Sequence, residues 1–174
     1  MGVKQRRDDH WPDDLSFLPK FLFRPDIAIW RYVAGATCLS ILGNLLLSGV
    51  AVLLLPDHAP PPMQNTNRVV VILAVVVLSP VVETAIMAML LSVLARFPGP
   101  GPAVIISAIL WGFLHGTVSL RWGIGIWWSF LVFSIAFVTW SRSRGFARGL
   151  FVATAIHALQ NSCAVLLLFL AGLV

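Results

Sequence analysis

Hydrophobic residues in this chain fall in long blocks and do not alternate with polar ones as they would on a half-buried strand. Five stretches are nearly free of charge: about 27–55, 68–96, 102–117, 122–141 and 149–172. An α-helix rises 1.5 Å per residue, so ~20 apolar residues cross the hydrocarbon layer of a bilayer. Four of the blocks reach that length. The third has 16 residues, and it is expected to begin or end in a protein-lined cavity. Lipid offers no hydrogen bonds to the backbone, which leaves helices as the way for such blocks to span it. The pattern therefore predicts an all-α, polytopic membrane bundle of about five transmembrane helices.

The breaks between blocks carry helix-stopping chemistry. Residues 56–67 (PDHAPPPMQNTN) stack prolines and turn formers, and PGPGP at 98–102 does the same. Pro80 lies inside the second block. Asp26 is a candidate N-cap for the first span, and Trp30, Tyr32, Trp122, Trp127, Trp128 and Trp140 suit interfacial belts. Residues 1–12 are polar. Residues 13–25 interleave Leu15, Phe17, Leu18, Phe21 and Leu22 with Lys20 and Arg24, a composition for a short interfacial helix on anionic headgroups. Pro19 interrupts it, so an irregular juxtamembrane linker fits as well. The chain thus divides into a cytoplasmic or interfacial segment, 1–26, and a transmembrane domain, 27–174, with no internal repeat.

Composition agrees: 59% of the residues are hydrophobic and 11% charged, against about 25% charged in a soluble domain. The net charge of +5 would raise the question of nucleic acid, but its distribution answers it. Six of the twelve Lys and Arg lie at or before Arg31, and Arg142, Arg144 and Arg148 share one short loop. Basic residues that flank apolar spans are topology signals, and no segment is long enough to build a basic groove for nucleic acid. Placing the N-terminus in the cytoplasm and the C-terminus outside leaves Arg68 and Arg121 as the only basic residues outside. Cys38 and Cys163 fall within spans and read as small buried hydrophobes, not as a disulfide framework. The first span is too long for a signal-peptide core, and the opening Met-Gly lacks the Ser or Thr of a myristoylation signal.

A few polar residues stand out against this background. Six of the seven acidic residues lie outside the spans; Glu83, the only glutamate, sits in the middle of the second. A carboxylate at that depth costs several kcal/mol, so it needs a partner or a function. His10 and His58 are in loops, whereas His115 and His157 lie inside the third and fifth spans. Asn161 follows His157 by four residues and shares its helical face. Counted from the basic ends, Glu83, His115 and Asn161 each lie thirteen residues in, roughly 20 Å, and His157 lies nine residues in, roughly 14 Å. Three helices therefore bring rare polar groups to similar depth. Ser40, Asn44, Ser48, Ser92, Ser107, Thr154 and Ser162 are the small polar residues that ordinarily join membrane helices.

Glu, His, His and Asn contain the parts for amide hydrolysis. A carboxylate in an apolar pocket can take a proton from water, an imidazole can orient that water, and imidazole or amide N–H groups can stabilise an oxyanion. The set Glu83, His115 and His157 could instead hold zinc with one position open for water. No HExxH helix is present, and no intramembrane aspartate exists to complete a Ser-His-Asp triad.

Three ordered motifs carry a resemblance: Pro80-Val-Val-Glu83-Thr84 through Ala88, Trp111-Gly-Phe-Leu-His115, and His157-Ala-Leu-Gln-Asn161. Across about residues 68–165 the chain resembles the CAAX-protease and bacteriocin-processing (CPBP, or Abi) family of intramembrane proteases, whose core is similar to that of Rce1-type prenyl-protein endopeptidases. The family pattern is a Pro-preceded EExxxR, an FxxxH and an HxxxN or HxxxD. Trp111 replaces the Phe, Thr84 stands in place of the second Glu, and Ala88 stands in place of the Arg. The two missing charges are four residues apart, the spacing of an ion pair, so their joint loss leaves no unpaired charge.

The resemblance implies Glu83 as the base that activates water, His115 as its helper, and His157 with Asn161 as the oxyanion-stabilising pair. It implies no cofactor in the metal-free version favoured by the asparagine, and a membrane-associated peptide or protein substrate. The expected setting is a bacterial inner membrane, with the substrate delivered near the cytoplasmic half of the bilayer. The partners are then lipids, that substrate and a membrane protein partner, with no nucleic acid. The competing reading is a non-proteolytic family member that acts as a partner-binding, immunity or assembly factor in a membrane complex.

Overall fold

The computed structural model describes residues 11, 15–55, 67–97 and 99–171. The polar start of the chain with His10, and the loop to residue 66 with His58, lie outside the described residues. Five helices follow one another: α1 (Ile29–Leu54), α2 (Arg68–Leu94), α3 (Pro100–Gly116), α4 (Leu120–Arg144) and α5 (Phe146–Leu170). Every boundary falls within three residues of the expected one, and no strand occurs among the described residues. Four helices are long and apolar enough to cross a membrane, while α3, with 17 residues, is not.

Helix α4 is the axis of the bundle. It carries Ser129, Ser134 and Thr139 on its buried stretch, small polar groups that need partners on neighbouring helices and not lipid. From Ser129 to Trp140 every residue is buried, with α1, α3 and α5 packed around it. Helix α2 leans mainly on α5 and touches α3 and α4 less. The outer surface carries Leu46 and Leu53 of α1, Phe113 of α3 and Leu170 of α5, as expected where lipid is the solvent. Cys38 and Cys163 are also on this surface, not in the interior as expected. A membrane bundle is as apolar outside as inside, so hydrophobicity alone does not tell which way a residue faces.

Two local features depart from plain helices. Within α2, residues Leu73–Leu78 wind as a π-helix just ahead of Pro80, which has no N–H for the ladder. Before α1, the expected interfacial helix reduces among the described residues to one 3-10 turn, Lys20–Phe23, started by Pro19. Leu15, Leu18 and Leu22 of this segment are buried in the bundle core, while Phe17 stays exposed. The Leu22 carbonyl accepts hydrogen bonds from Tyr32 Oη (2.8 Å) and Thr139 Oγ1 (3.0 Å), which ties the segment to α1 and α4. Asp26 does not cap α1; it pairs with Arg24 at 2.7 Å, and Ala28 takes the cap position. At the other end of α1, the Arg121 guanidinium donates to the Leu55 carbonyl and so satisfies a helix-terminal acceptor.

Candidate active site

The four polar side chains converge from α2, α3 and α5. Glu83 is one turn past the Ser79–Pro80 junction, and its Oε1 accepts a hydrogen bond from Ser79 Oγ at 2.5 Å. Its Oε2 lies 3.9 Å from His115 Nε2, and the two side chains keep 24% and 13% of their surface exposed. His115 Nδ1 is 2.9 Å from the Trp111 carbonyl. A carbonyl can only accept, so Nδ1–H donates this bond and Nε2 is left facing the carboxylate. The ring nitrogen and the carboxylate oxygen thus face each other across a gap too wide for a direct bond. The gap is wide enough for a water molecule to bridge the two at ordinary hydrogen-bond lengths.

Packing holds His115 in this position. Its ring meets Trp122 edge-on at 4.6 Å and lies 5.8 Å from Phe130, which itself stacks on Trp111 at 4.4 Å. Gly112 and Gly116 bracket it on α3 and let that helix touch Gly123 of α4 backbone to backbone. A Cβ on Gly123 would come within 2.4 Å of the Gly112 carbonyl oxygen and 2.6 Å of Gly116 Cα. His115 is the penultimate residue of α3. The pair with Glu83 therefore lies where the short helix gives out, at the end away from Arg96.

His157 is buried behind this pair. Its Nδ1 is 3.2 Å from Thr84 Oγ1, its ring stacks on Phe133 at 4.7 Å, and Phe130 separates it from His115. Thr84 and Ala88 are fully buried, so the departures from the EExxxR pattern put no charge in the core. Asn161 sits one turn further along α5 and donates through Nδ2 to the Val75 carbonyl in the π turn, at 2.9 Å.

Glu83 and His115 thus face each other, His157 adjoins them through Thr84 and Phe130, and Asn161 engages the backbone of α2. Among the described residues no three His, Cys, Asp or Glu side chains converge closely enough to hold a metal ion. The zinc set Glu83, His115 and His157 does not fit the side chains as they stand, because His157 is turned to Thr84. The sequence reasoning missed Ser79, although its i, i+4 spacing to Glu83 on a helix is a usable signal. It saw Thr84 only as a departure from the family pattern. An apolar groove of about 540 Å³ lies between α1, α3 and α4, lined by Leu47, Phe113, Leu120 and Trp127 among others, and it touches neither Glu83 nor either histidine.

Residues 65–163, more than half of the chain, match the family described as Type II CAAX prenyl endopeptidase Rce1-like. The chain belongs to that family. The matched stretch holds all three motifs and runs from just before α2 into α5. No curated protein and no solved structure matches the chain. Membership in the Rce1-like family, with its four membrane-length helices, makes this an integral membrane protein of a CAAX-type intramembrane protease family, one that acts on peptide or protein substrates in the membrane.

Proposed function

We propose that the chain is an intramembrane endopeptidase in which Glu83 activates water, and that the fixed direction of the His115 ring is the feature that makes this work. With Nδ1–H held by the Trp111 carbonyl, His115 Nε2 stands 3.9 Å from Glu83 Oε2, and this geometry supports the reading. Water held between them has its oxygen lone pairs turned away from both groups, toward an incoming carbonyl carbon. Glu83 takes the proton as the oxygen attacks and later returns it to the leaving amine. Ser79 ties down the other carboxylate oxygen, so the reactive one keeps its direction. His157, turned by Thr84, and the second N–H of Asn161 are the donors for the oxyanion. No step runs through a metal. The expected setting is a bacterial inner membrane with the N-terminus in the cytoplasm, in keeping with the basic residues at one end of the bundle.

The test uses purified protein in lipid nanodiscs with two probes, a farnesylated CAAX peptide and its unprenylated form. Glu83→Gln and His115→Ala should each lower cleavage about 10²–10⁴-fold while the melting temperature holds. Undiminished cleavage in Glu83→Gln sinks the mechanism. A parent chain that cuts neither peptide but copurifies with a stable membrane partner favours the assembly-factor reading. Stoichiometric zinc in the active preparation, with activity lost on chelation, overturns the metal-free version.

A further inference from the structure

The hydrogen bond from Asn161 to α2 is explained by the register of the π turn. In a π turn each N–H reaches back five residues, and the Ser79 N–H accordingly donates to the Ala74 carbonyl. In the same register the next donor would be residue 80, and its acceptor would be the Val75 carbonyl. Residue 80 is proline, which has no N–H. The Val75 carbonyl is therefore the acceptor that the ladder cannot serve from residue 80, and a carbonyl without a partner is costly in apolar surroundings. Asn161 Nδ2 meets that same carbonyl at 2.9 Å from the facing helix.

We infer that Pro80, the π turn and Asn161 form a latch, in which Asn161 is a positioning residue that docks α5 on α2 by completing the interrupted ladder. A π turn amounts to one inserted residue, and one residue turns everything beyond it by about 100° around the helix axis. Glu83 lies three residues past Pro80, so its direction depends on the π turn being kept. The latch keeps it by supplying the one bond that Pro80 withholds. It uses a single N–H of the amide and leaves the second for the oxyanion. The latch itself stands on the geometry of α2 and α5; its effect on the reaction rests on the hydrolytic reading above.

The experiment is a double-mutant cycle in nanodiscs with Asn161→Ala, Pro80→Ala and the pair. Asn161→Ala should lower the melting midpoint by about 2–4 °C, the scale of one lost hydrogen bond in a chain of this size. It should also speed deuterium exchange across residues 73–83 and reduce cleavage of the farnesylated peptide. Pro80→Ala restores an N–H at residue 80, so on that background Asn161→Ala should shift the midpoint by less than half as much, and cleavage should recover in part. Equal shifts on both backgrounds overturn the latch. Should Pro80→Ala fail to fold, Asn161→Leu, which keeps the size but has no donor, must raise exchange at 73–83; unchanged exchange there overturns the latch as well. Coupling between positions 80 and 161 in a chain that cleaves nothing retains the latch and removes the hydrolytic reading. Lost cleavage that Pro80→Ala does not restore, with melting and exchange unchanged, does the reverse.

Discussion

Two polar clusters lie inside this apolar bundle, and they are built on opposite principles. The first joins α1, α4 and α5: Ser40 Oγ donates to Gln160 Oε1, Gln160 Nε2 and Asn44 Nδ2 both donate to Ser129 Oγ (2.9 and 3.1 Å), and Ser48 Oγ donates to Asn44 Oδ1. Every member is a hydroxyl or an amide, so none has to change its charge, and Ser40, Ser129 and Gln160 are buried. The second cluster joins α2, α3 and α5 through Glu83, His115 and His157. It contains titratable groups, keeps part of its surface open, and sets a ring nitrogen and a carboxylate oxygen face to face without a direct bond. A closed set of neutral partners is glue. An open set with a gap between two polar groups has room for a water molecule, which is what the proposed hydrolysis requires. Gln160 and Asn161 are neighbours on α5, yet the first belongs to the glue and the second reaches toward the candidate site.

The sharpest way to test this contrast is at its supports, which lie two residues apart on α4. Gly123 faces α3 beneath the open cluster, and Gly125 faces α1 beneath the closed one. A methyl on Gly123 meets backbone atoms of Gly112 and Gly116, which cannot yield without moving α3 and His115 with it. A methyl on Gly125 meets Ser48 Oγ at 2.4 Å, the end of a side chain that can rotate. Gly123→Ala should therefore cost about 3 kcal/mol and remove cleavage, whereas Gly125→Ala should cost under about 1 kcal/mol and leave cleavage in place. Melting in detergent and peptide cleavage read both; equal costs would mean that the helix crossings do not differ as described.

Next in size is Thr84→Val. The change is nearly isosteric and removes only the hydroxyl that meets His157 Nδ1. Without it the imidazole loses the partner that orients it, and kcat should fall about tenfold, ~1.4 kcal/mol, with KM nearly unchanged. Thr84→Ser should retain most of the activity. A Val variant as fast as the parent would leave the threonine as packing alone.

The outline of the fold was legible because its signal is coarse. Blocks of apolar residues broken by PGPGP and the proline-rich loop leave few other readings, so the helix ends came out within three residues. The pairing of Glu83 with His115 was legible for a related reason: Glu83 is the only glutamate and lies in a span, and a costly residue advertises that it needs a partner. Direction was not legible. The same apolar composition on all sides of α1 and α5 hid that Cys38 and Cys163 face outward. Leu15, Leu18 and Leu22 suit a headgroup surface as well as a core, and only the Leu22 carbonyl, taken by Tyr32 and Thr139, decides between them. Pro80 was visible in the sequence, but the π turn it accompanies depends on Asn161, 81 residues away.

The smallest expected effect falls on the glue itself. Gln160 is the hub of the closed cluster, since it accepts from Ser40 and donates to Ser129. Gln160→Leu keeps the volume but leaves both serines without that partner. In water a buried group left unpaired costs about 1–3 kcal/mol, but side-chain hydrogen bonds between membrane helices measure nearer 0.6 kcal/mol, with about 1.7 as an upper value, because the unfolded helices also find partners. Ser129 keeps Asn44, which lowers the cost further. The variant should therefore melt about 1–4 °C below the parent at unchanged kcat. A fall in kcat larger than the loss of folded protein would show that the α1 cluster feeds into the site through α5, and the division between glue and chemistry would then have to be redrawn.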